Sequence, residues 1–195
     1  MEGGLVVTDD EEIYHVLLSI RAHGWTRNLP KENHVTGTKS DDPFEESFRF
    51  VLPGYNLRPL EMSGALGQEQ LKKLPNLIKG RRANGAAFQA AMADHPLFEI
   101  QHETGESSWF GFALILREEV NLPRRAAITA LEKAGFECRP IVTGNFTRNP
   151  VVEYLEHRVA GDLVAADRIH DYGLFVGNHQ YPISEAVEVL AELEL

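Results

Sequence analysis

The segment from residue 25 to 55 constrains the fold of this 195-residue chain more than any other feature. It reads WTRNLPKENHVTGTKSDDPFEESFRFVLPGY, and neither a helical nor a strand period runs through it. A disordered linker is poor in aromatic residues, whereas this segment contains Trp25, Phe44, Phe48, Phe50 and Tyr55. Long irregular segments inside compact proteins are usually functional. We therefore predict an ordered loop that covers a site or a partner subunit.

Regular elements are predicted on both sides of this loop. A strand at 5–8 and an amphipathic helix from Asp9 to about Gly24 precede it. A long helix from about 59 to 94, with a break near Pro75, follows it. Beyond that helix, the predicted strands are 97–101, 109–116, 136–142 and 174–176. The predicted helices are 121–135, 162–171 and one that begins at residue 184. Asn121 is expected to cap the first of these helices and Gly135 to end it. This alternation predicts an α/β protein.

Composition excludes several classes of function. The formal net charge of −10 argues against nucleic-acid binding, which needs clustered Lys and Arg. The only cysteine, Cys138, excludes an internal disulfide and multi-cysteine metal spacings, and we expect it to be a small core residue. No apolar run approaches the roughly 20 residues of a membrane span, and no signal-peptide pattern is present. We therefore expect a cytoplasmic protein with no metal site and no nucleic-acid or membrane partner.

The sequence lacks the common catalytic motifs: a phosphate loop, GxGxxG after a strand, HExxH and GxSxG. Polar side chains instead concentrate in a few segments. In residues 21–28, His23 and the guanidinium groups of Arg21 and Arg27 follow a helix and could converge on an anion. From spacing alone, however, the favoured interpretation is that they only complement the negative end of the helix dipole. The remaining histidines, among them His15 and His34, are scattered and receive no role.

Two further segments are candidates for anion binding. The turn at 53–59 presents Asn56 and Arg58 side by side, which suits a phosphate or a carboxylate, although Asn56 could simply cap its own turn. Arg139 lies in an otherwise apolar strand context and needs an anionic partner. That partner could be a ligand or the nearby Glu137. The residues alone therefore predict anion sites but no reaction.

Several motifs together carry a family resemblance. They are MEGG at the start, RAHGWTRNLPKEN (21–33), FEESFRFVLPGYN (44–56), GYNLRPLEMSGALGQEQLKKL (54–74), ETGESSWFGF (103–112), ECRPIVTGNF (137–146) and GLFVGNHQ (173–180). The chain resembles the DegT/DnrJ/EryC1/StrS sugar aminotransferase family, whose members are pyridoxal-phosphate-dependent enzymes of fold type I. RAHGWTRNL and RPIVTGNF are most similar to the members that dehydrate GDP-4-keto-6-deoxymannose at C3. The resemblance covers essentially all 195 residues.

This resemblance implies a lyase that uses pyridoxal 5′-phosphate and pyridoxamine 5′-phosphate, with glutamate as amino donor and a sugar nucleotide as substrate. It implies a homodimer and a place in colitose and O-antigen biosynthesis. The acid/base histidine is expected upstream of Met1, so the chain is expected to be a C-terminal half that is inactive alone. The expected parts are a remnant of the large domain with a dimer-exchange loop (1–58), a connecting helix (59–94) and a small α/β domain (95–195).

The resemblance also implies a role for individual residues. Asn56 corresponds to the position that reaches the cofactor phosphate of the other subunit, and Arg58 faces the substrate there. His23 and Arg27 correspond to substrate contacts, and Phe48 to the loop that enters the neighbouring site. A last position, Arg139, corresponds to an anion binder.

Three alternatives remain. A plain sugar-nucleotide aminotransferase would carry a lysine where the dehydratase carries its histidine. The chain could also be an inactive fragment or an interaction module. The iron–sulfur dehydrases of CDP-sugars are disfavoured, because a cluster needs about four thiolates and no cysteine precedes Cys138.

Overall fold

The computed structural model describes residues 3–195, which fall into two compact units. The first unit ends at Lys72 and the second runs from Lys73 to Leu195. Their boundary lies inside the segment expected to be a connecting helix, and the division at residues 58 and 94 stays a prediction. Met1 and Glu2 of the MEGG motif lie outside the described residues.

The first unit begins with helix α1 (Glu11–Ile20). Asp10 caps it, because its carboxylate accepts hydrogen bonds from the backbone N–H groups of Glu12 and Ile13 at 2.9 and 3.1 Å. The helix predicted from Asp9 is therefore confirmed, although it ends earlier. The strand expected at 5–8 is wrong: those residues are not in a strand and their apolar side chains are exposed. No described strand pairs with them, and an unpaired strand is not stable.

The loop that follows α1 is ordered by local hydrogen bonds, as predicted. Strands β1 (Glu32–Asn33) and β2 (Gly37–Thr38) form an antiparallel hairpin. The side-chain oxygen of Asn33 accepts from the backbone N–H groups of Val35 and Thr36 at 3.0 and 2.8 Å, which fixes the turn. Helix α2 (Pro43–Ser47) follows, with Pro43 in its first turn and Asp42 as its cap.

The predicted long helix is two helices, α3 (Glu61–Leu71) and α4 (Leu74–Met92). The break near Pro75 is confirmed. Pro75 occupies the first turn of α4, where the N–H group that proline lacks would have no partner in any case. No residue of α3 is buried. Within residues 3–195, no helix is both long enough and apolar enough to cross a membrane.

The second unit contains a four-stranded sheet in which every neighbouring pair is antiparallel. Its strands are β3 (Phe98–Ile100), β4 (Gly111–Leu116), β5 (Cys138–Arg139) and β6 (Gly173–Gly177), in the order β3-β4-β6-β5. The helices that accompany them are α5 (Arg124–Lys133), α6 (Val164–Tyr172) and α7 (Ser184–Ala191). The predicted alternation of helices and strands is confirmed, although β3, β4 and β5 are shorter than expected and β6 is longer.

Two local expectations in this unit have different outcomes. Asn121 does not cap α5. It has φ of 51° and closes a short 3-10 turn at Glu118–Val120, so that Pro123 stands at the helix cap. Cys138 packs against the core, and burial raises the pKa of its thiol, which fits a structural residue rather than a nucleophile.

The core of the second unit is formed by buried side chains of β3, β4 and β6, among them Phe98 and Leu174, and of three helices. Phe112, Leu114 and Leu116 are buried at every second position, as expected for one face of a strand. Phe88 of α4 stacks on Phe112 with ring centroids 4.2 Å apart. Other buried members are Met92, Ala127, Leu131, Val187 and Leu190. This stack anchors α4 on the sheet.

We expect Phe88→Ala to lower the free energy of unfolding of the second unit by about 3–5 kcal/mol, because Phe88 is fully buried and alanine leaves a cavity. Urea denaturation followed by Trp109 fluorescence, in a Trp25→Phe background, measures the change. Phe110→Ala is the matched control. Phe110 is 80% exposed, so its loss should alter stability by no more than about 0.5 kcal/mol. Equal effects of the two substitutions would contradict this account of the core.

Candidate functional site

Two of the predicted anion-binding segments lie side by side in the first unit. The backbone N–H of His23 donates to the carbonyl oxygen of Tyr55 at 2.8 Å, and that of Leu57 donates to Arg21 at 2.9 Å. Isolated β-bridges join Ala22 to Asn56 and Trp25 to Phe50. Residues 21–28 and 48–58, which are separate in the sequence, therefore form one surface.

The two segments cross where Gly24 meets Gly54. A Cβ atom on Gly54 would overlap the backbone of Gly24, and one on Gly24 would overlap the carbonyl oxygen of Leu52. Gly24 also has φ of 81°, a conformation that favours glycine. His23, immediately before it, has φ of 63°, and strained non-glycine residues of this kind gather at functional sites. The crossing therefore needs glycine at both positions.

Trp25 is at the centre of an aromatic group on this surface. Its ring stacks on Phe50 with centroids 5.3 Å apart, and it meets Phe48 edge-on at 5.5 Å and His23 at 5.8 Å. Phe48 and Phe50 are both exposed. Aromatic faces of this kind offer area for stacking a planar ligand group.

Two guanidinium groups lie over the same ring. The Cζ atom of Arg27 is 4.1 Å from the Trp25 centroid, and that of Arg58 is 5.8 Å away, within the range of cation–π attraction. Neither arginine forms a salt bridge with any carboxylate in the described part of the chain. We call His23, Trp25, Arg27, Phe48, Phe50 and Arg58 the Trp25 cluster. Its two uncompensated cations suit an anionic ligand.

A buried carboxylate holds the loop that carries this cluster. Glu46 of α2 accepts hydrogen bonds from the hydroxyl of Thr26 at 2.6 Å, the backbone N–H of Ser40 at 2.8 Å and the guanidinium of Arg49 at 2.7 Å. The Thr26 bond, together with those of Arg49 and Ser40, lowers the pKa of Glu46 from 4.5 to about 2, against an opposing contribution from burial. The glutamate is therefore charged at neutral pH, and its hydrogen bond with Thr26 connects α2 to the chain beside Trp25 and Arg27.

The structure brings together four of the predicted substrate-binding residues: His23, Arg27, Phe48 and Arg58 belong to the Trp25 cluster. The predicted cofactor contact, Asn56, is two residues from Arg58, and its side-chain amide is exposed with no hydrogen-bond partner among the described residues. Arg139 lies in the second unit, where its Nε and Nη2 both donate to Glu137 at 2.9 and 2.7 Å. The pairing with Glu137 is thus present, and the ligand-binding roles of all six residues stay predictions.

No pattern in the sequence identified Trp25 as a candidate site residue. The signal in the sequence was the density of aromatic residues in the loop, but nothing there marked the one that the others contact.

The family model described as the DegT/DnrJ/EryC1/StrS aminotransferase family matches residues 1–193. The chain belongs to this family. It is 61% identical over 191 residues to the GDP-4-keto-6-deoxy-D-mannose 3-dehydratase of Yersinia pseudotuberculosis, covering 97% of this chain and 49% of that protein.

Two similar solved structures are of GDP-4-keto-6-deoxymannose-3-dehydratase. One, with a trapped PLP-glutamate geminal diamine, has a TM-score of 0.90 at 57% identity and covers 96% of this chain and 49% of its own. The other, a point mutant with bound GDP-perosamine, has a TM-score of 0.89 at 58% identity and covers 95% and 48%. The α/β aminotransferase-family fold is thereby confirmed. The chain spans about half the length of the proteins it matches.

We expect the stability of the first unit to fall in acid because of Glu46. Its folded pKa of about 2 is below the ordinary 4.5, so its contribution is fully present above about pH 4.5 and lost as the pH falls towards 2. Glu46→Gln should therefore be less stable than the parent chain at pH 7. The difference in their free energies of unfolding should decrease below pH 4.5 and be mostly gone by pH 2. Urea denaturation read by Trp25 fluorescence, in a Trp109→Phe background, measures it.

Glu45→Gln is the matched control for this prediction, since Glu45 is exposed beside Glu46 and, among the described residues, its carboxylate accepts a hydrogen bond only from the Ser40 hydroxyl. It should follow the parent chain at every pH. A gap between Glu46→Gln and the parent that stays constant from pH 7 to pH 2 would contradict the assignment of the low pKa to Glu46.

Proposed function

We propose that this chain supplies the substrate-facing part of an enzyme that removes the C3 hydroxyl of GDP-4-keto-6-deoxymannose. The enzyme would use pyridoxal and pyridoxamine phosphate, with glutamate as amino donor. The observation that carries the proposal is 61% identity across 97% of the chain to a protein named for that reaction. The activity would belong to a longer parent protein that acts as a homodimer in the cytoplasm, in the route to colitose and O-antigen.

The Trp25 cluster supports a sugar nucleotide as the ligand. The guanidinium groups of Arg27 and Arg58 have no carboxylate partner among residues 3–195, and a diphosphate would supply the negative charge to pair with them. Arginine binds phosphate oxygens in a forked geometry. The exposed ring of Phe48 could stack on a planar or sugar face. The imidazole of His23 lies against the same tryptophan and would donate to, or accept from, a sugar hydroxyl.

One side chain of this part of the parent fits the cofactor. The free amide of Asn56 can donate to a phosphate oxygen, and its place beside Arg58 suits an anion. Bound pyridoxal phosphate would supply the electron sink for the reaction. Asn56 would only help to hold its phosphate, from across the dimer.

Arg139 would bind the carboxylate of glutamate or an oxygen of the sugar nucleotide. It would first have to leave Glu137, but both side chains are well exposed, at 63% and 77%. Exposed ion pairs contribute only about 0–1 kcal/mol, so the exchange costs little.

Helix α3 of the first unit supports the proposal that other parts of a parent protein cover it. None of its residues is buried, and Met62, Leu66 and Leu71 are exposed. Met62 and Leu66 are one turn apart and share a face of the helix, and neighbouring exposed apolar side chains of this kind are typical of a contact surface. In the proposed parent, the rest of the chain or the partner subunit would lie against it.

The function is tested in a chimera that joins the N-terminal half of the Yersinia pseudotuberculosis relative to this chain. With GDP-4-keto-6-deoxymannose, pyridoxal phosphate and glutamate, we expect a product that lacks one oxygen atom, detected by mass spectrometry. Because the residue that would distinguish a dehydratase from an aminotransferase comes from the donated half, this chimera tests the substrate-facing role of the chain. If the chimera binds pyridoxal phosphate, as read from its absorbance, and gives no such product, the chain is an inactive fragment or an interaction module.

Arg27→Ala in the same chimera should raise KM for the sugar nucleotide about 10- to 100-fold, since a charge-assisted hydrogen bond contributes about 1.5–3 kcal/mol. Steady-state kinetics with the sugar nucleotide varied give the value. Arg125→Ala serves as the control, because Arg125 is a highly exposed cation of the second unit and its loss should leave KM unchanged. An Arg27→Ala chimera with the parental KM would exclude Arg27 from substrate binding.

A further inference from the structure

Two imidazoles and a carboxylate meet beside helix α1, and none of the three residues belongs to the Trp25 cluster. Glu11 and His15 are four residues apart on α1, so they project from the same face of the helix. His34 comes from the turn between β1 and β2. One potential ligand atom from each of the three lies within 4.8 Å of the others.

The separations within this group resemble those around a bound ion. A tetrahedral ion with bonds of about 2.0–2.2 Å places its ligand atoms roughly 3.3–3.6 Å apart, and two imidazoles on it have centroids about 5 Å apart. Here the Nε2 atom of His34 is 3.3 Å from the Oε2 atom of Glu11. The rings of His15 and His34 have centroids 5.4 Å apart. Two of the spacings that an ion requires are therefore already present.

The protonation of His15 also suits a ligand. His15 is 3% exposed, and its Nδ1 atom accepts a long hydrogen bond of 3.3 Å from the backbone N–H of His34. In the neutral ring, Nε2 therefore carries the hydrogen and Nδ1 carries the lone pair. An ion that binds Nδ1 replaces one long hydrogen bond and leaves the tautomer unchanged.

The other two side chains are free to adjust. The side chains of His34 and Glu11 are 50% and 73% exposed, so a shift of about an ångström towards an ion meets little packing resistance. The fixed, buried ligand is thus His15, and the mobile ligands are on the solvent side. Such an arrangement leaves a fourth position open to water.

We propose that Glu11, His15 and His34 bind one divalent transition-metal ion, with Zn²⁺ as the reference case. Two imidazoles and one carboxylate form a ligand set suited to zinc, and imidazole is a poor ligand for Mg²⁺ and Ca²⁺. The ion would fasten the β1–β2 hairpin to α1, and hence one end of the ordered loop to the helix before it. This site is independent of the proposed reaction.

The proposal is tested on the metal-free 195-residue chain by calorimetric titration with ZnCl2. We expect one ion per chain, and binding at least about tenfold weaker in both His34→Ala and Glu11→Gln. The matched control is His102→Ala, since His102 is an exposed histidine of the second unit, and it should bind as the parent does. Co²⁺ in place of Zn²⁺ should give the intense visible absorption of a tetrahedral site, and His34→Ala should lose it.

Three results would overturn the proposal. They are no binding to the parent chain, equal affinity in His34→Ala and the parent, or a loss in His102→Ala as large as that in His34→Ala. The last two would indicate adventitious binding to surface histidines. Glu11→Gln changes only an exposed carboxylate, so it decides the question even if His34→Ala disturbs the hairpin, which far-ultraviolet circular dichroism would report.

Discussion

The buried carboxylate of Glu46 holds together the part of the chain that has no regular structure. An irregular segment lacks the repeating hydrogen bonds of a helix or sheet, yet ordering it costs about 1–2 kcal/mol of backbone entropy per residue. Glu46 bonds Thr26, Ser40 and Arg49, which come from the beginning, middle and end of the loop. A buried charge is tolerated only when it is paired and hydrogen-bonded, so these bonds and the closed loop depend on each other.

The geometry of the Trp25 cluster follows from this closure. Thr26 stands between Trp25 and Arg27, so fixing Thr26 fixes the origin of both side chains. Phe48 follows Glu46 by two residues and is positioned from the other end of the loop. The backbone that carries Trp25, Arg27 and Phe48 is thus fixed before a ligand arrives, which lowers the reorganisation cost of binding. The candidate site is built from a loop, but hydrogen bonds to Glu46 constrain that loop near its beginning, middle and end.

Periodicity and proline made much of the fold predictable. The apolar face of α1, the alternation of apolar positions in β4 and the break near Pro75 all follow from local rules, and the structure agrees with them. The strand expected at 5–8 has the right residues, but a strand also depends on a partner elsewhere. Asn121 shows a similar limit, because a left-handed turn and a helix cap both favour asparagine and the sequence does not choose between them.

The site was less predictable than the fold, for a physical reason. Trp25 contacts Phe48, Phe50 and Arg58, more than 20 positions further along the chain, and no pattern in a short window joins such residues. No sequence pattern joins His15 to His34 either, since 19 positions separate them. The sequence does show which types of side chain are present: arginines, a histidine and aromatic residues. Their convergence depends on the folded loop.

The crossing at Gly24 and Gly54 has a consequence for how such a site can diverge. The two segments meet backbone to backbone, with no side chain between them, so their spacing does not depend on which residues line the surface. Positions 27, 48 and 58 can therefore change without moving the backbone crossing that carries them. Selection for a new sugar or nucleotide could act on these side chains one at a time, on a scaffold that two glycines keep constant.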